Sequence, residues 1–344
     1  MPLLNTQRLM QEAVLSGVHL LLPFLIFLFI YLAWKLLVIL LNWLIWKNQS
    51  SLEQIKVIIK FSIIFIIIIS LTMTIIVITV NWVNNSADLT WLESNNLSLM
   101  KLDKTLFGTY LPFWLQSETN PLKPLFDYLT PTLITTYRLL SGVLSAVLLL
   151  TLVKNIRYFY GLLLTVVLSV IFSLPFWFSY PALTPREALW HNILLTPIPA
   201  TIQTDLNNYQ PNPILNNYLN HAKKIKNHDS RQLTITTIPS LHVAWVTAIL
   251  YFGVQAWPLL AIVLVPYFIL NFLATIFTLQ HYAVDSWAGI IISILAIVLA
   301  KILIKKILPA TMKRSISDLI ANDLAFLKQQ LQRLPNLFNN KESN

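Results

Sequence analysis

Long apolar runs, separated by polar connections, set the pattern of the chain. A transmembrane helix needs about 20 consecutive apolar residues, and in lipid a helix satisfies all of its own backbone N–H and C=O groups. The runs therefore predict an all-α polytopic membrane helical bundle with about seven transmembrane helices. The predicted spans are approximately residues 17–46, 55–83, 133–153, 156–178, 241–254, 257–278 and 282–304.

Two polar stretches interrupt these spans. Residues 84–131 mix tryptophans, prolines and charges and contain no run long enough to span, so we expect short interfacial helices that lie on the membrane face. Residues 179–238 form the longest polar connection. A loop of this length usually caps a site or binds a ligand.

Beyond the last span, apolar residues recur at helical spacing from Ile316 to Leu334. This pattern predicts an amphipathic helix that lies on the membrane or pairs with a second copy of the chain, as a homo-oligomer. We divide the chain into an N-terminal extra transmembrane helix at 1–54, a membrane domain at 55–306 and a basic tail at 307–344.

Composition excludes a soluble protein. Of the 344 residues, 56% are hydrophobic and 11% are charged, which is more apolar surface than a soluble domain can bury. The chain has no cysteine, so disulfides, thiolate metal sites and cysteine nucleophiles are excluded together. The net charge of +10 does not indicate a nucleic-acid partner, because the lysines flank apolar runs and crowd the C-terminus, as expected next to anionic lipid.

Basic residues near the span ends predict the sidedness. They are denser on the side that carries the C-terminus, which the positive-inside rule makes cytoplasmic. The 84–131 and 179–238 segments then face the extracytoplasmic side, a periplasm or an organelle lumen. The residues that decide the assignment are Lys47, Lys56, Lys154, Arg157, Lys301, Lys305, Lys306, Lys313 and Arg314.

The candidate chemistry lies in two short motifs, at 238–245 and 280–289. Each places a histidine, His242 or His281, where an apolar helix begins, and the second motif adds Asp285 four residues later. Positions i and i+4 share one face of a helix, so Asp285 can hold the ring of His281. The intervening run is long enough to cross a bilayer, turn and return. We therefore expect the two histidines and the aspartate to meet at one membrane face.

These motifs resemble those of the type 2 phosphatidic acid phosphatase superfamily. The first reads Pro-Ser-Leu-His-Val-Ala at 239–244, and the second fits His-x-x-x-Asp at 281–285. Because Leu241 stands where many members have glycine, the first motif is more similar to the inositol phosphotransferase (inositol phosphorylceramide synthase-like) branch. Three further segments recur in the same order in that branch: Leu-Asp-Lys-Thr-Leu-Phe-Gly at 102–108, Phe-Trp-Leu-Gln at 113–116 and Tyr-Pro-Ala-Leu-Thr-Pro-Arg at 180–186.

The resemblance covers roughly residues 100–305. It implies a catalytic membrane domain with six core helices, and an integral-membrane lipid phosphatase or phosphotransferase that uses no metal and no cofactor. Its substrate would be a lipid phosphate or a phospholipid. Water as acceptor gives a phosphatase, whereas an alcohol such as inositol gives a headgroup transferase.

The same residues fit phosphoryl transfer on chemical grounds. A neutral imidazole can attack phosphorus, and a carboxylate on its far nitrogen fixes the tautomer and stabilises the developing cation. His281 with Asp285 fits that role, and His242 fits the acid that protonates the leaving alcohol and later the base that activates the acceptor. The resemblance implies the same assignment, with a phosphohistidine at His281. We expect Pro239 in the first turn, with the N–H groups of 240–242 aimed at an anion.

Three residues are candidates for substrate binding. Arg186 is the leading phosphate clamp and Arg231 the second, while Ser240 is expected to act as a helix cap rather than a nucleophile. Hydrolases of the superfamily carry an arginine where this chain has Thr275, and a lysine where it has Ser179. Fewer fixed cations favour a singly charged phosphodiester, and hence headgroup transfer, over a doubly charged monoester.

Two other readings use the same residues. Two histidines and a carboxylate are also metal ligands, so a metal-binding membrane transporter or oxidoreductase is the alternative function. The third hypothesis is a non-catalytic membrane protein that has lost its catalytic residues. The presence of His242, His281 and Asp285 argues against it.

Overall fold

The computed structural model describes residues 89–187, 200–227 and 238–307, together with scattered helical positions between Ile26 and Ser86 and at Ala325 and Lys328. The described residues form no β-strand, which confirms the all-α class; one isolated bridge pairs Ser117 with Tyr209. In chain order the helices are α1 (Leu89–Phe107), α2 (Leu111–Trp114), α3 (Lys123–Arg138), α4 (Leu140–Lys154), α5 (Ile156–Ser179), α6 (Ala200–Asn207), α7 (Pro213–Asn227), α8 (Leu241–Ala256), α9 (Ala261–Phe277, after a 3-10 turn at Pro258–Leu260) and α10 (Ala283–Ile307).

Several of these helices support an integral membrane protein. Three are long and apolar enough to cross a membrane: Ile156–Ser179, Pro258–Phe277 and Ala283–Lys306. Helices α3 and α4 pass the same test only as a pair, bent by 55° at Leu139, so the straight span predicted at 133–153 is instead a broken one. The count of seven is not confirmed. Apart from the scattered positions, the spans predicted at 17–46 and 55–83 and the tail at 307–344 lie outside the described residues.

Helix α8 lies at the centre of the membrane bundle. Most of its sixteen residues are apolar, and it packs against α4, α5, α9 and α10. The interior holds Ile249 and Phe252 of α8 against leucines and valines of its neighbours. At Gly161 of α5 an added Cβ would meet the ring of Phe252 at 2.3 Å, so this glycine lets the two helices approach closely. The chain turns at Trp257–Pro258, as predicted, because Trp257, the residue before the proline, adopts an extended conformation that ends the helix.

A second layer covers one end of this bundle. Helices α1, α2, α6 and α7 pack their apolar side chains against the end of α9 and the start of α10, around Tyr110, Phe113, Phe277 and Tyr282. The connection at 179–238, read as a loop from the sequence, therefore contains the helices α6 and α7. Helix α1 also differs from the expected surface helix, because its polar residues Asn96 and Asp103 are fully buried.

Polar contacts attach α6 and the segment after it to this layer. One oxygen of Asp205 accepts from Lys104 Nζ (2.7 Å) and from the backbone N–H of Tyr110 (2.9 Å). Asn212 donates to Asp127 Oδ1 (3.0 Å) and to Thr130 Oγ1 (2.6 Å). Part of the long polar connection is thus fixed over the end of the bundle.

The basic span ends lie at the opposite end of the bundle. Lys154 at the end of α4 lies 5.7 Å from the ring centre of Trp257, at the turn after α8. Lys301, late in α10, donates to the hydroxyl of Tyr251 near the end of α8 (3.0 Å). Because His242 is at the start of α8, these cations lie at the far end of the helix from it. The sidedness derived from these residues stays a prediction.

The starts of α8 and α10 touch at Gly289. A Cβ added there would lie 2.4 Å from the carbonyl oxygen of Ser240 and 3.4 Å from the backbone N of Ala244. These obstacles are backbone atoms, so α8 would have to move away from α10. Only glycine allows the observed approach.

We expect the Gly289→Ala substitution to destabilise the protein by about 1–3 kcal/mol, as overpacking does elsewhere. Gly142→Ala is the matched control, because a Cβ at Gly142 in α4 meets nothing within 4 Å. The measurement is the midpoint of thermal unfolding in detergent. Equal midpoints for the two variants would contradict the close approach.

Candidate active site

Ser240 caps the start of α8. Its hydroxyl accepts from the backbone N–H of Val243 (3.3 Å), so the capping role predicted for Ser240 is confirmed, and His242 is the second residue of the helix. Two expectations about this turn are wrong. Pro239 precedes the cap instead of lying in the first turn, and the backbone N–H of Ser240 donates to the carbonyl oxygen of Asp285 (3.0 Å) instead of pointing at an anion. A substrate contact from Ser240 stays a prediction.

A Schellman motif reverses the chain between α9 and α10. After the last helical residue, Leu279 adopts φ +57°, its N–H donates to Ile276 O (3.0 Å), and the N–H of Gln280 donates to Thr275 O (3.1 Å). This pair of bonds defines the motif, in which glycine usually occupies the left-handed position. Leu279 is fully buried, so packing of its side chain holds the strained backbone in place.

The same turn anchors the segment that carries Arg186. The carbonyl oxygen of Leu279 accepts from the backbone N–H of Arg186 (3.0 Å), and Thr275 O accepts from the N–H of His281 (3.1 Å). Thr275, where the resembled hydrolases have arginine, is fully buried, and its hydroxyl lies 3.2 Å from that of Ser286. The turn therefore brings the 180–187 segment next to His281.

Asp285 links the cap of α10 to His281. It is the third residue of the helix, and its Oδ2 accepts from the N–H of Tyr282 (3.1 Å), the reach-back bond of a capping box. The same Oδ2 lies 3.8 Å from Nδ1 of His281. His281 precedes the helix by two residues instead of lying on it. The distance is that of an ion pair and is too long for a hydrogen bond.

The two imidazoles lie at one site. The bond from Ser240 to Asp285 joins the starts of α8 and α10, which places His242, two residues after Ser240, and His281, four residues before Asp285, at the same end of the bundle. The ring of Tyr137, near the end of α3, stacks on His242 with centroids 4.2 Å apart and planes within 5°. Nε2 of His242 is buried and has no hydrogen-bond partner among the described residues. This nitrogen is therefore available to a bound substrate.

Arg186 belongs to the same cluster. Its side chain is 9% exposed, and its Nη2 lies 3.6 Å from Oε1 of the fully buried Glu187. Its guanidinium is also within electrostatic range of the Tyr137 hydroxyl. The backbone bond from Arg186 to Leu279 O places Arg186 next to the turn that leads into His281. Arg231, the second candidate clamp, lies outside the described residues.

Four residues at the site were missed by the sequence reasoning: Tyr137, Glu187, Asn96 and Asp103. Asp103 is fully buried in α1 and accepts from the backbone N–H groups of Ala283 (3.1 Å) and Val284 (2.8 Å). Burial raises its pKa to about 7, the nearby charge of Asp285 acts in the same direction, and the two backbone hydrogen bonds act against it. The 102–108 segment was noted for its resemblance, but nothing in the sequence shows which helix its carboxylate reaches.

The described residues contain no group of three or more His, Cys, Asp or Glu side chains that could hold a metal ion. A family model described as PAP2 superfamily matches residues 98–299, more than half of the chain. That superfamily consists generally of phosphatases, so the match supports an enzyme that acts on phosphate esters. No curated protein and no solved structure matches the chain significantly.

Because the backbone at Leu279 is strained, we expect glycine to destabilise the protein less than alanine at this position. Both Leu279→Gly and Leu279→Ala remove a buried side chain, at a cost of roughly 2–5 kcal/mol, but only glycine relieves the left-handed backbone. We expect the Leu279→Gly variant to be more stable than the Leu279→Ala variant by about 1 kcal/mol.

Leu264 in α9 is the control, since it is buried in an ordinary helical conformation. There the order should be reversed, with the alanine variant the more stable by about 1 kcal/mol. Thermal unfolding midpoints in detergent compare the four variants. An alanine variant at 279 as stable as the glycine variant would contradict the strain.

Proposed function

The chain belongs to the PAP2 superfamily, and on that premise we propose that it is an integral-membrane lipid phosphatase or phosphotransferase that works through a phosphohistidine intermediate and without a metal. Its substrate is a phospholipid or a lipid phosphate. The observation that carries the proposal is the bond from Ser240 to Asp285, which joins the two helix starts beside which His242 and His281 lie. The carboxylate of Asp285 next to Nδ1 of His281 supports a nucleophilic role for that ring.

In the first step, Nε2 of His281 attacks the phosphorus atom. Asp285 faces Nδ1, so it holds the proton on that nitrogen and stabilises the positive charge that develops on the ring. The contact must shorten from 3.8 Å to become a hydrogen bond, and catalytic hydrogen bonds often tighten only when substrate is bound. The bond between phosphorus and the leaving alcohol breaks as the N–P bond forms.

His242 supplies the proton for this step. In the protonated form it donates from Nε2, which has no partner within the described protein, to the oxygen of the leaving alcohol. The stacked ring of Tyr137 limits its rotation. The products of the step are a free alcohol, a phosphohistidine at position 281 and a neutral His242.

The second step reverses the roles. Neutral His242 takes a proton from the acceptor, whose oxygen attacks phosphorus, and the N–P bond breaks to regenerate His281. Water as acceptor gives hydrolysis. An alcohol such as inositol gives headgroup transfer, the reaction of the branch that the first motif resembles.

Arg186 is the proposed contact for the phosphate oxygens. A guanidinium can donate two parallel hydrogen bonds to such an anion. Its position on a segment bonded to Leu279, two residues before His281, supports this role. The alternative metal-binding function is not favoured by any group of ligands in the described part of the chain.

The balance of buried charge favours a singly charged substrate. Among the residues that the structure describes, Arg186 is the one buried cationic side chain, whereas Glu187 and Asp285 are buried carboxylates at the same site. A phosphate monoester carries close to two negative charges at neutral pH. A phosphodiester carries one, so it is repelled less by these carboxylates.

The first experiment traps the intermediate. Brief incubation with a phospholipid radiolabelled at phosphorus should give protein-bound label that is stable to alkali and lost in acid, as a phosphoramidate is. His281→Ala should abolish the label and lower turnover by about four orders of magnitude or more. His221→Ala, at an exposed histidine of α7, is the matched control and should label normally.

Vanadate, which mimics five-coordinate phosphorus, should block the labelling, and chelators should not. Label or turnover that survives His281→Ala would contradict the proposal. Loss of activity with a chelator, restored by added metal, would support the metal-binding alternative instead.

The second experiment tests the charge balance. Glu187→Gln removes a negative charge 3.6 Å from Arg186, so the site should accept a dianion more readily. We expect the ratio of kcat/KM for phosphatidic acid to kcat/KM for a phosphodiester phospholipid to rise about tenfold, which corresponds to about 1.4 kcal/mol. Glu118→Gln, at an exposed glutamate, is the control and should leave the ratio unchanged. An unchanged ratio in the Glu187→Gln variant would contradict the charge argument.

A further inference from the structure

One carboxylate of α1, that of Asp103, accepts hydrogen bonds from the first two residues of α10. Oδ1 of Asp103 accepts from Val284 N–H (2.8 Å) and Oδ2 from Ala283 N–H (3.1 Å). These are the first two residues of α10. The side chain is fully buried, so water does not compete for these bonds. A residue 180 positions away in the sequence thus caps the helix that carries Asp285.

The start of α10 has more donors than its own residues can satisfy. The first four N–H groups of a helix have no partner within it. An aspartate at the third position is well placed to accept from these groups, and Oδ2 of Asp285 already accepts from Tyr282 N–H (3.1 Å). That same oxygen faces Nδ1 of His281 at 3.8 Å. Capping the helix and orienting the imidazole therefore compete for one carboxylate.

Asp103 relieves this competition. It accepts from the two N–H groups that would otherwise draw Asp285 toward its own backbone. One further contact holds α1 against the same turn, since the Tyr282 hydroxyl donates to Oδ1 of Asn96; beyond α1, the ring of Tyr110 stacks on that of Tyr282 with centroids 5.9 Å apart. Residues 282–284 are thus held by hydrogen bonds with α1 and by a ring contact with Tyr110, which follows α1.

We propose that Asp103 is a positioning residue for the reaction: by capping α10 from α1, it leaves the Asp285 carboxylate to orient His281. The inference rests on the proposed function, in which His281 is the nucleophile. It adds an element outside the two histidine motifs to the catalytic apparatus. Helix α1 thereby controls the geometry of the Asp285 side chain through the backbone of Ala283 and Val284.

The test compares two buried aspartates that cap backbone N–H groups. Asp103→Asn keeps the size of the side chain but can accept only one of the two N–H groups. Asp205→Asn is the matched control, because Asp205 accepts from Tyr110 N–H and Lys104 and has no hydrogen bond to α10. For each variant, kcat, KM and the rate of phosphohistidine formation are measured per folded molecule, together with the unfolding midpoint.

We expect Asp103→Asn to lower kcat by about 10- to 100-fold, as loss of a residue supporting a catalytic group does, with KM changed by less than about threefold. Asp205→Asn should lower the unfolding midpoint and leave kcat within about twofold of the parent. The decisive comparison introduces Asp103→Asn into a protein that already carries Asp285→Asn. If Asp103 acts through Asp285, adding Asp103→Asn to that background should lower kcat little further, since residues that act as a unit are not additive.

Full additivity of the two substitutions would overturn the inference, as would an unchanged kcat in Asp103→Asn. If Asp103→Asn does not fold, Asp103→Glu takes its place, since it keeps the charge but moves the carboxylate out of position for the N–H groups of Ala283 and Val284; an unchanged kcat there would overturn the inference equally. If the proposed function is wrong, the result is different: the unsubstituted protein itself forms no label at His281.

Discussion

One backbone hydrogen bond joins the two halves of the candidate site. The N–H of Ser240 donates to the carbonyl oxygen of Asp285, and the bond is possible because Gly289 presents no side chain to the start of α8. Ser240 caps the helix of His242, and Asp285 caps the helix that follows His281. Fixing these two caps against each other fixes the distance between the imidazoles. Other features of the site act by holding one cap or the other.

The site lies between two layers that stabilise it in different ways. The membrane bundle around α8 supplies rigidity through close apolar packing. The covering layer supplies polar groups, including the carboxylate of Asp103 and the amide of Asn96, to a turn whose backbone would otherwise be unsatisfied. Burying carboxylates is costly unless backbone N–H groups satisfy them. The start of α10 provides such donors, so capping and desolvation are compatible there.

The sequence was sufficient to predict the helical class, the apolar helices long enough to span at Ile156–Ser179, Pro258–Phe277 and Ala283–Lys306, and the return of His281 to the side of His242. Apolar length carries that information, since it depends on local geometry. The stacking of Tyr137 on His242 and the reach of Asp103 to Ala283 could not be predicted, because they join residues far apart in the chain. The left-handed turn was also missed, since Leu279 occupies a position where glycine is the usual signal.

A structure of the vanadate-inhibited protein would show whether the two imidazoles act on one phosphorus atom. We expect vanadium bonded to Nε2 of His281, with Asp285 Oδ2 now within about 3 Å of Nδ1 and Nε2 of His242 within about 3 Å of the apical oxygen on the far side. Vanadate bound elsewhere, or imidazoles that face away from each other with the Ser240–Asp285 bond absent, would contradict this expectation.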